Sequence, residues 1–313
     1  MSAAAETGYE VLGLSGDPAV AEVAVLRLGG RPKAVVEVVD GLAPPLSRED
    51  KWVINLSTQF GCPVGCPTCD AGGGYQGEPD AEGLWAQVAW AAARHPGLAT
   101  RCRKLKVHFA RMGEPSLNPA VLTCLEDLPG RLRAPGLWAC VATVAPRGRE
   151  GWLEALLGLK QRLYPGRFQL QFSVQSTDPA DRAWLIPVPR LDLEEIAAFG
   201  SRFHRPGERK VVLNFALARG VGFDPEVLRA HFDPGTFLLK LTPLNPTARG
   251  REAGLETRLR SPAAAELTPL IARLQAAGFE VICSVGDLRE DAIGSNCGQA
   301  VRVLRAQQAA PPG

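Results

Sequence analysis

The sequence contains no apolar run long enough to cross a membrane, although 46% of its 313 residues are hydrophobic. A spanning helix needs about 20 consecutive apolar residues. The opening MSAAAETGYE also lacks the basic region and apolar stretch of a secretory signal. We therefore expect a cytoplasmic protein with no membrane partner, in which the eight cysteines are not paired as disulfides.

A large excess of charge of one sign is also missing. The formal net charge is +2, and the basic residues are scattered along the chain. Because nucleic-acid binding usually appears as a concentrated basic region, the composition neither requires nor excludes such a partner. No linker divides the sequence, so we expect one domain with small extensions.

What the chain does contain is a repeated alternation of strand and helix. Strand-like runs occur at KWVINLST, KLKVHFA, LWACVATVA, RFQLQFSVQ, KVVLNFALA and TFLLKLTPL. Helical patterns lie between most of them, and one begins at Asp80, a suitable N-cap. Such alternation predicts an α/β fold with a parallel sheet. Six units fit either a doubly wound sheet or a partial (β/α)6 barrel, and reactive groups gather at the carboxyl ends of the strands in both.

The predicted organisation has three parts. Residues 1–50 form a small extension with a β-hairpin, because VAEVAVLRLGGRPKAVVEVVDG holds two β-branched runs around a Gly-Gly-Arg-Pro turn. Residues 51–285 form the core. Residues 286–313 form a C-terminal segment, and we expect its end, RAQQAAPPG, to be a disordered tail.

Three cysteines, Cys62, Cys66 and Cys69, cluster directly after the first strand of the series. A structural zinc site or a closed iron–sulfur cluster normally takes four protein ligands, whereas three leave a position open for an exogenous ligand. The spacing therefore favours an iron–sulfur cluster with one open iron. A zinc knuckle that takes His95 or His108 as its fourth ligand is the alternative.

The Cys-x-x-x-Cys-x-x-Cys spacing resembles the signature of the radical S-adenosylmethionine (SAM) superfamily. That resemblance implies a [4Fe-4S] cluster whose open iron is chelated by SAM. It also implies a flavodoxin- or ferredoxin-type reductant, and cleavage of SAM to a 5′-deoxyadenosyl radical. One position departs from the pattern, because the residue before the last cysteine is usually aromatic and is Thr68 here.

Further motifs resemble one branch of that superfamily, the RlmN/Cfr-type ribosomal RNA adenine C-methyltransferases, from about residue 24 to about residue 305. The motifs are FARMGEPSLNP, FSVQSTDPADRAWLIPV, LTPLNP and GSNCGQA. The resemblance implies SAM contacts from Gly113, Glu114, Ser173, Gln175 and Asn245. Glu114 is expected to hold the SAM ammonium, and Gln175 stands where the family has histidine.

The GSNCGQA motif implies that Cys297 carries the methyl group. A thiolate at this position would take a methyl from one SAM by polar substitution. The radical from a second SAM would then abstract hydrogen from the S-methyl group, and the methylene radical would add to an sp2 carbon. Glu37 falls where the family has a proton-accepting glutamate, and an exposed hairpin carboxylate is an equally good interpretation.

Two departures affect the acceptor. The family has a second cysteine seven residues before the first cluster cysteine, and this position is Asn55. Cys140 is a possible replacement, although it also fits as a substitute for a SAM-binding serine or as a buried strand cysteine. The family's accessory helical domain, which helps to engage RNA, is not expected here. A small-molecule or peptide substrate is therefore the main alternative to RNA, and a non-enzymatic metal-binding module is a remote one.

Overall fold

The computed structural model describes residues 8–259, 267–284 and 298–309. The strands are β1 (Tyr9–Asp17), β2 (Ala21–Leu28), β3 (Val35–Gly41), β4 (Trp52–Leu56), β5 (Leu105–Phe109), β6 (Leu137–Thr143), β7 (Phe168–Ser173), β8 (Val211–Leu217), β9 (Phe237–Pro243) and β10 (Glu280–Cys283). The helices are α1 (Ala81–Arg94), α2 (Leu98–Arg101), α3 (Ala120–Leu132), α4 (Glu150–Leu163), α5 (Pro179–Leu185), α6 (Leu193–Phe203), α7 (Pro225–His231), α8 (Ala248–Glu252), α9 (Thr268–Ala276) and α10 (Gln299–Ala309). None of the helices in these ranges is long and apolar enough to span a bilayer.

All ten strands form one sheet in chain order. β1 to β4 are antiparallel to their neighbours, and β4 to β10 run parallel. In a doubly wound sheet the strand order reverses at a switch point, whereas an uninterrupted order with right-handed crossovers places the helices on one face. The order therefore favours the partial barrel over the doubly wound sheet. The six predicted strand–helix units are confirmed, and β10 adds a seventh parallel strand.

The sheet curls so that one face becomes an interior. On β5, Leu105 and Val107 are buried in the main core, while the alternating His108 faces the other way. Burial, and then the charges of Lys106 and Lys240, lower the pKa of His108. The loop after β4 contacts the chain after β9, because Ala248 N donates to Asp70 Oδ2 at 3.0 Å. β4 and β9 are five strands apart, which would be about 24 Å in a flat sheet. The sheet is therefore curved, and we call its concave side the barrel interior.

The predicted hairpin is confirmed as β2 and β3, and it continues the sheet of the core. Asp40 at its end is fully buried and accepts hydrogen bonds from Trp52 Nε1 at 2.7 Å and from Arg48. The Asp40 carboxylate also bonds His95 Nε2 at 2.6 Å. This network joins the hairpin to the start of β4 and the end of α1. The division of the chain at residues 50 and 285 stays a prediction.

The helix beginning at Asp80 is confirmed, because the Asp80 carboxylate accepts a hydrogen bond from Gly83 N at 2.8 Å. Several elements differ from the sequence prediction, and the short helices α2, α5, α7 and α8 are among those not predicted. β1 was not predicted, since its exposed residues do not alternate and it carries Gly13 and Gly16. α3 was not predicted because it contains Pro129. The disordered tail is wrong for residues 305–309, which belong to α10.

Gly136 offers a test of the packing at the amino-terminal ends of β5 and β6. A Cβ atom there would lie 2.3 Å from Cys102 O and 2.5 Å from Arg103 O, both of them backbone atoms. We expect Gly136→Ala to lower the free energy of unfolding by about 1–3 kcal/mol in urea denaturation, as overpacking does. The control is Gly130→Ala, at an open position in α3. Gly130→Ala should raise the free energy of unfolding by about 0.5–1 kcal/mol through helix propensity. Equal changes in the two variants would contradict the explanation by overpacking at Gly136.

Candidate functional site

The loop that follows β4 brings the three clustered cysteines together. Cys62, Cys66 and Cys69 are half-buried. The loop folds back on itself, with Gly73 N donating to Cys62 O at 3.1 Å and Cys69 N donating to Cys66 O at 3.2 Å. Burial raises the pKa of Cys66, and the charges of Cys69 and Cys62 raise it further. The three sulfurs are therefore close enough to influence one another.

The donor set suits a soft metal centre. Burial raises the pKa of the Cys62 thiol to about 12, so its thiolate needs a cationic partner at neutral pH. Among the described residues, no three Cys, His, Asp or Glu side chains converge on a point where a single ion could bind. A cubane cluster does not need the three sulfurs to meet at one point, because each of its cysteines binds a different iron. Thiolates are the usual ligands of iron–sulfur clusters, and this loop fits one.

The two histidines considered as a fourth zinc ligand lie elsewhere. His95 bonds Asp40 and stacks edge-on against Trp52, at the start of β4, whereas the cysteines follow its end. His108 faces the barrel interior opposite Asn55. The arrangement of the described residues gives the zinc alternative no support.

Glu114 lies beside the cysteines as a buried carboxylate. Its Oε1 accepts hydrogen bonds from Thr143 Oγ1 at 2.5 Å and Ser116 Oγ at 2.8 Å, and its Oε2 accepts one from Val144 N at 2.9 Å. Burial raises the pKa of Glu114, and these hydrogen bonds oppose the shift. Its charge in turn raises the pKa of Cys62. A fixed carboxylate next to the thiols can attract an ammonium group.

Gly113 shapes the turn that presents Glu114. Its φ is +100°, and a Cβ atom would lie 2.6 Å from Gln59 Cβ and 2.7 Å from Thr58 Oγ1. Glu114 N donates to Gln59 Oε1 at 2.9 Å, which ties the turn to the start of the cysteine loop. Glycine is required at residue 113 for this close approach.

The other predicted SAM contacts lie at the same edge of the sheet, where the parallel strands end. Ser173 is the last residue of β7 and is half-buried. Gln175 follows in a left-handed conformation, with φ +69°, and its Oε1 accepts a hydrogen bond from Ala216 N at 3.1 Å. Asn245 is exposed just beyond β9. The structure brings these residues to one edge, and their contact with SAM stays a prediction.

Glu37 is fully buried, so the interpretation as an exposed hairpin carboxylate is wrong. Its Oε2 accepts a hydrogen bond from Gly298 N at 2.9 Å and pairs with Arg111 Nη2 at 2.7 Å. Its Oε1 accepts a hydrogen bond from Val301 N at 2.8 Å. Glu37 therefore caps the amino-terminal end of α10, where a negative charge is favourable.

Cys297 lies outside the described residues, but the residue that follows it is described. Gly298 has φ +85°, and a Cβ atom there would lie 2.1 Å from Ala71 N and 2.4 Å from Asp70 C. The backbone at Gly298 thus packs directly on the backbone that follows Cys69. Only glycine permits this contact.

Two residues that hold the cysteine loop were not predicted from the sequence. Asp70 accepts hydrogen bonds from Ala248 N and Arg249 N, both at 3.0 Å, and so caps α8. Arg249 donates to Gly65 O and Gly72 O, both at 2.9 Å. Aspartate is a typical capping residue. The helix that Asp70 caps begins 178 residues later, however, so the local sequence carries no signal for the contact.

His108 provides a test of the electrostatics of the barrel interior. Burial and two lysines lower its pKa well below the ordinary value of 6.5, so the folded protein binds this proton more weakly than the unfolded chain does. Its contribution to stability is present above that ordinary value and is lost as the pH falls toward the lowered pKa. We expect wild type to lose stability relative to His108→Gln between pH 7 and pH 5, by up to about 1.4 kcal/mol per pH unit. Urea denaturation at several pH values measures this.

The control for this measurement is His231→Gln, which removes an exposed histidine at the end of α7. The difference in the free energy of unfolding between His231→Gln and wild type should stay constant over the same pH range. If the corresponding difference for His108→Gln were also constant, it would contradict the assignment of a buried, uncharged imidazole at residue 108.

Comparison with known proteins finds relatives that are named RNA methyltransferases. No family model matches the chain. A protein named probable dual-specificity RNA methyltransferase RlmN 1, from Opitutus terrae, is 30% identical, and the match covers 61% of this chain and 54% of that relative. A probable dual-specificity RNA methyltransferase RlmN from Parafrankia sp. is 28% identical, over 87% of this chain and 71% of the relative.

A third relative, a probable RNA methyltransferase from Azoarcus sp., is 28% identical, and the match covers 90% of this chain and 78% of that protein. The chain thus spans between about half and about three quarters of the length of these relatives. The resemblance drawn from the motifs is confirmed: the chain is similar to proteins named as probable RNA methyltransferases, two of them of the RlmN type.

Proposed function

We propose that this protein is a radical SAM methyltransferase that transfers a SAM-derived one-carbon unit to an sp2 carbon through a methylated Cys297. One arrangement carries the proposal. A loop with three adjacent thiols has a buried carboxylate, Glu114, on one side and the backbone of Gly298 on the other. The first two features suit a cluster and the SAM ammonium, and the third is the residue next to the predicted methyl carrier.

The cofactor would be held by residues that the site already gathers. Cys62, Cys66 and Cys69 would bind a [4Fe-4S] cluster, and Glu114 would accept hydrogen bonds from the SAM ammonium. When bound, such a cluster supplies the electron that cleaves SAM to methionine and a 5′-deoxyadenosyl radical. Asp70 and Arg249 keep the loop in place through their bonds to α8 and to the loop carbonyls.

Cys297 would act as a nucleophile. Its thiolate would attack the methyl carbon of SAM, forming the S–CH3 bond as the methyl–sulfonium bond breaks and S-adenosylhomocysteine leaves. Loss of one hydrogen from this S-methyl group to the 5′-deoxyadenosyl radical would then prepare the carbon for addition to the acceptor. The methyl carrier must therefore lie near both the SAM methyl and the acceptor.

Glu37 is proposed as a positioning residue for this step. Both of its oxygens are occupied, by the backbone N–H groups of Gly298 and Val301 and by Arg111. Through these contacts Glu37 holds the start of α10, and with it the chain next to Cys297, against the cysteine loop.

RNA is the proposed substrate, because the relatives are named RNA methyltransferases. An adenine is the more specific proposal, and it follows from the family resemblance alone. Release of a covalent intermediate would differ from the family's, since Asn55 has no thiol. Cys140 is fully buried opposite His108 in the barrel interior, and its role in release stays a prediction.

The methyl carrier is tested by anaerobic reconstitution with iron, sulfide, reductant and methyl-labelled SAM. We expect the label on the Cys297 peptide in mass spectrometry, together with 5′-deoxyadenosine. Cys297→Ala should lose the peptide label completely and still produce 5′-deoxyadenosine, because the cluster cysteines are intact. The control is Cys283→Ala, which removes another free, half-buried cysteine. Label that persists in Cys297→Ala, or that never appears on wild type, would rule out this mechanism.

The positioning role of Glu37 predicts a second outcome. Hydrogen bonds to a charged group contribute about 1.5–3 kcal/mol each, so Glu37→Gln should lower the rate of Cys297 methylation at least ~10-fold. It should also speed amide hydrogen exchange at Gly298 and Val301. Production of 5′-deoxyadenosine should be unchanged within about twofold, because Glu37 does not contact the cysteines.

The matched control is Glu22→Gln, which neutralises another buried carboxylate of the hairpin, one that pairs with Arg94. It should leave methylation of Cys297 and exchange at α10 unchanged. If Glu37 served only as a proton acceptor at the product stage, Glu37→Gln would methylate Cys297 at the wild-type rate, and the amides of α10 would remain protected.

A further inference from the structure

We propose that the barrel binds a small anionic ligand at its amino-terminal mouth, the end opposite the cysteine loop. The ligand would carry a phosphate or a carboxylate, and its polar body would extend into the barrel interior. The basic end of this site lies away from the cysteine loop, and the proposal does not rest on the methyl transfer. Two independent observations support it, one at the mouth and one inside.

Four basic residues gather at the mouth. Lys51, Lys104 and Arg209 stand just before β4, β5 and β8, and Lys106 is the second residue of β5. Burial, and then the charges of Lys106 and Arg209, lower the pKa of Lys51 and of Lys104. Lys51 and Lys104 are neighbours by register, because Trp52 pairs with Leu105, and Arg209 stands four strands away at the same end of the curved sheet.

No carboxylate balances this cluster within the part of the chain that the structure describes. Lys104 lies over the ring of Trp138, 3.9 Å from its centroid, and Lys106 Nζ donates to Gln169 Oε1 at 3.1 Å. Neither of these partners is charged. The nearby acids are used by other residues, because Asp50 pairs with Arg103 and Glu49 with Arg101. Like charges held together without a counter-ion repel one another, and a bound anion would relieve this repulsion.

The barrel interior between this mouth and the predicted SAM contacts contains polar atoms without partners, and one of these residues, Asn214, pairs in register with Ser173. Gln171 and Asn214 are 8% and 9% exposed, and Gln171 Oε1 and Asn214 Oδ1 accept no hydrogen bond among the described residues. His108 Nε2 is buried and likewise has no partner in that part of the chain. All three side chains alternate with the core-facing residues of their strands, so they face the interior.

Buried polar atoms are almost always satisfied in folded proteins, and a group of them along one face indicates a ligand or bound water. Two of the three are amide oxygens, which accept hydrogen bonds, so the inner part of the ligand needs donor groups. The anionic end would remain at the lysines. This combination describes a small polar metabolite bearing a phosphate or a carboxylate.

Isothermal titration of the reconstituted protein tests the proposal, at constant ionic strength set with potassium chloride. The probes are glycerol 3-phosphate, succinate and neutral glycerol, which separate a phosphate from a carboxylate site. We expect at least one anion to bind and glycerol not to bind. The double variant Lys104→Gln/Lys106→Gln should bind that anion at least ~10-fold more weakly, because charge-assisted hydrogen bonds are lost.

The control is Lys33→Gln, which removes an exposed lysine of the hairpin turn. It should bind within about twofold of wild type. Folding is checked by urea denaturation, in which the anion should raise the midpoint of wild type and not that of the double variant. The proposal is overturned if neither anion binds better than chloride does, or if the double variant binds as wild type does. Because 5′-deoxyadenosine production from SAM is measured on the same preparation, such a failure is distinguishable from failure of the proposed methyl transfer.

Discussion

Two buried carboxylates hold the candidate site together. Asp70, next to the last cluster cysteine, caps α8, and Glu37, on the hairpin extension, caps α10. Each uses the unsatisfied N–H groups at the start of a helix, which no intrahelical acceptor can reach. Through these contacts the cysteine loop is fixed by two helices that lie far from it in the sequence. Asp70, together with Arg249, anchors the cysteine loop on α8, and Glu37 keeps the start of α10 packed on the backbone that follows Cys69.

The sequence was sufficient for the parts of the fold that depend on local pattern. Alternating apolar runs predicted the parallel strands, and the turn chemistry between β2 and β3 predicted their hairpin. Neither pattern could decide between a barrel and a doubly wound sheet, because the choice depends on strand order and on long-range pairing. α3 was missed for a local reason, since Pro129 argues against a helix and is tolerated within its last turn.

In the candidate site, too, the sequence predicted the residues with a local pattern and did not predict the long-range contacts. Spacing identified Cys62, Cys66 and Cys69, because ligands within one loop leave a local signature. Family resemblance identified Glu114, and the structure adds why Gly113 must precede it. The capping contacts of Asp70 and Glu37 join segments 178 and at least 261 residues apart. No periodicity or composition records such a contact, so these two residues could be assigned a positioning role only from the structure.

The contact between Glu37 and Gly298 also has a consequence for how the protein is made. Glu37 leaves the ribosome 261 residues before its partner does. Throughout that interval the carboxylate has neither of the α10 amides to bind, and the surface at Ala71 that Gly298 covers is open. The cysteine loop therefore stays uncovered at Ala71 until α10 has been synthesised.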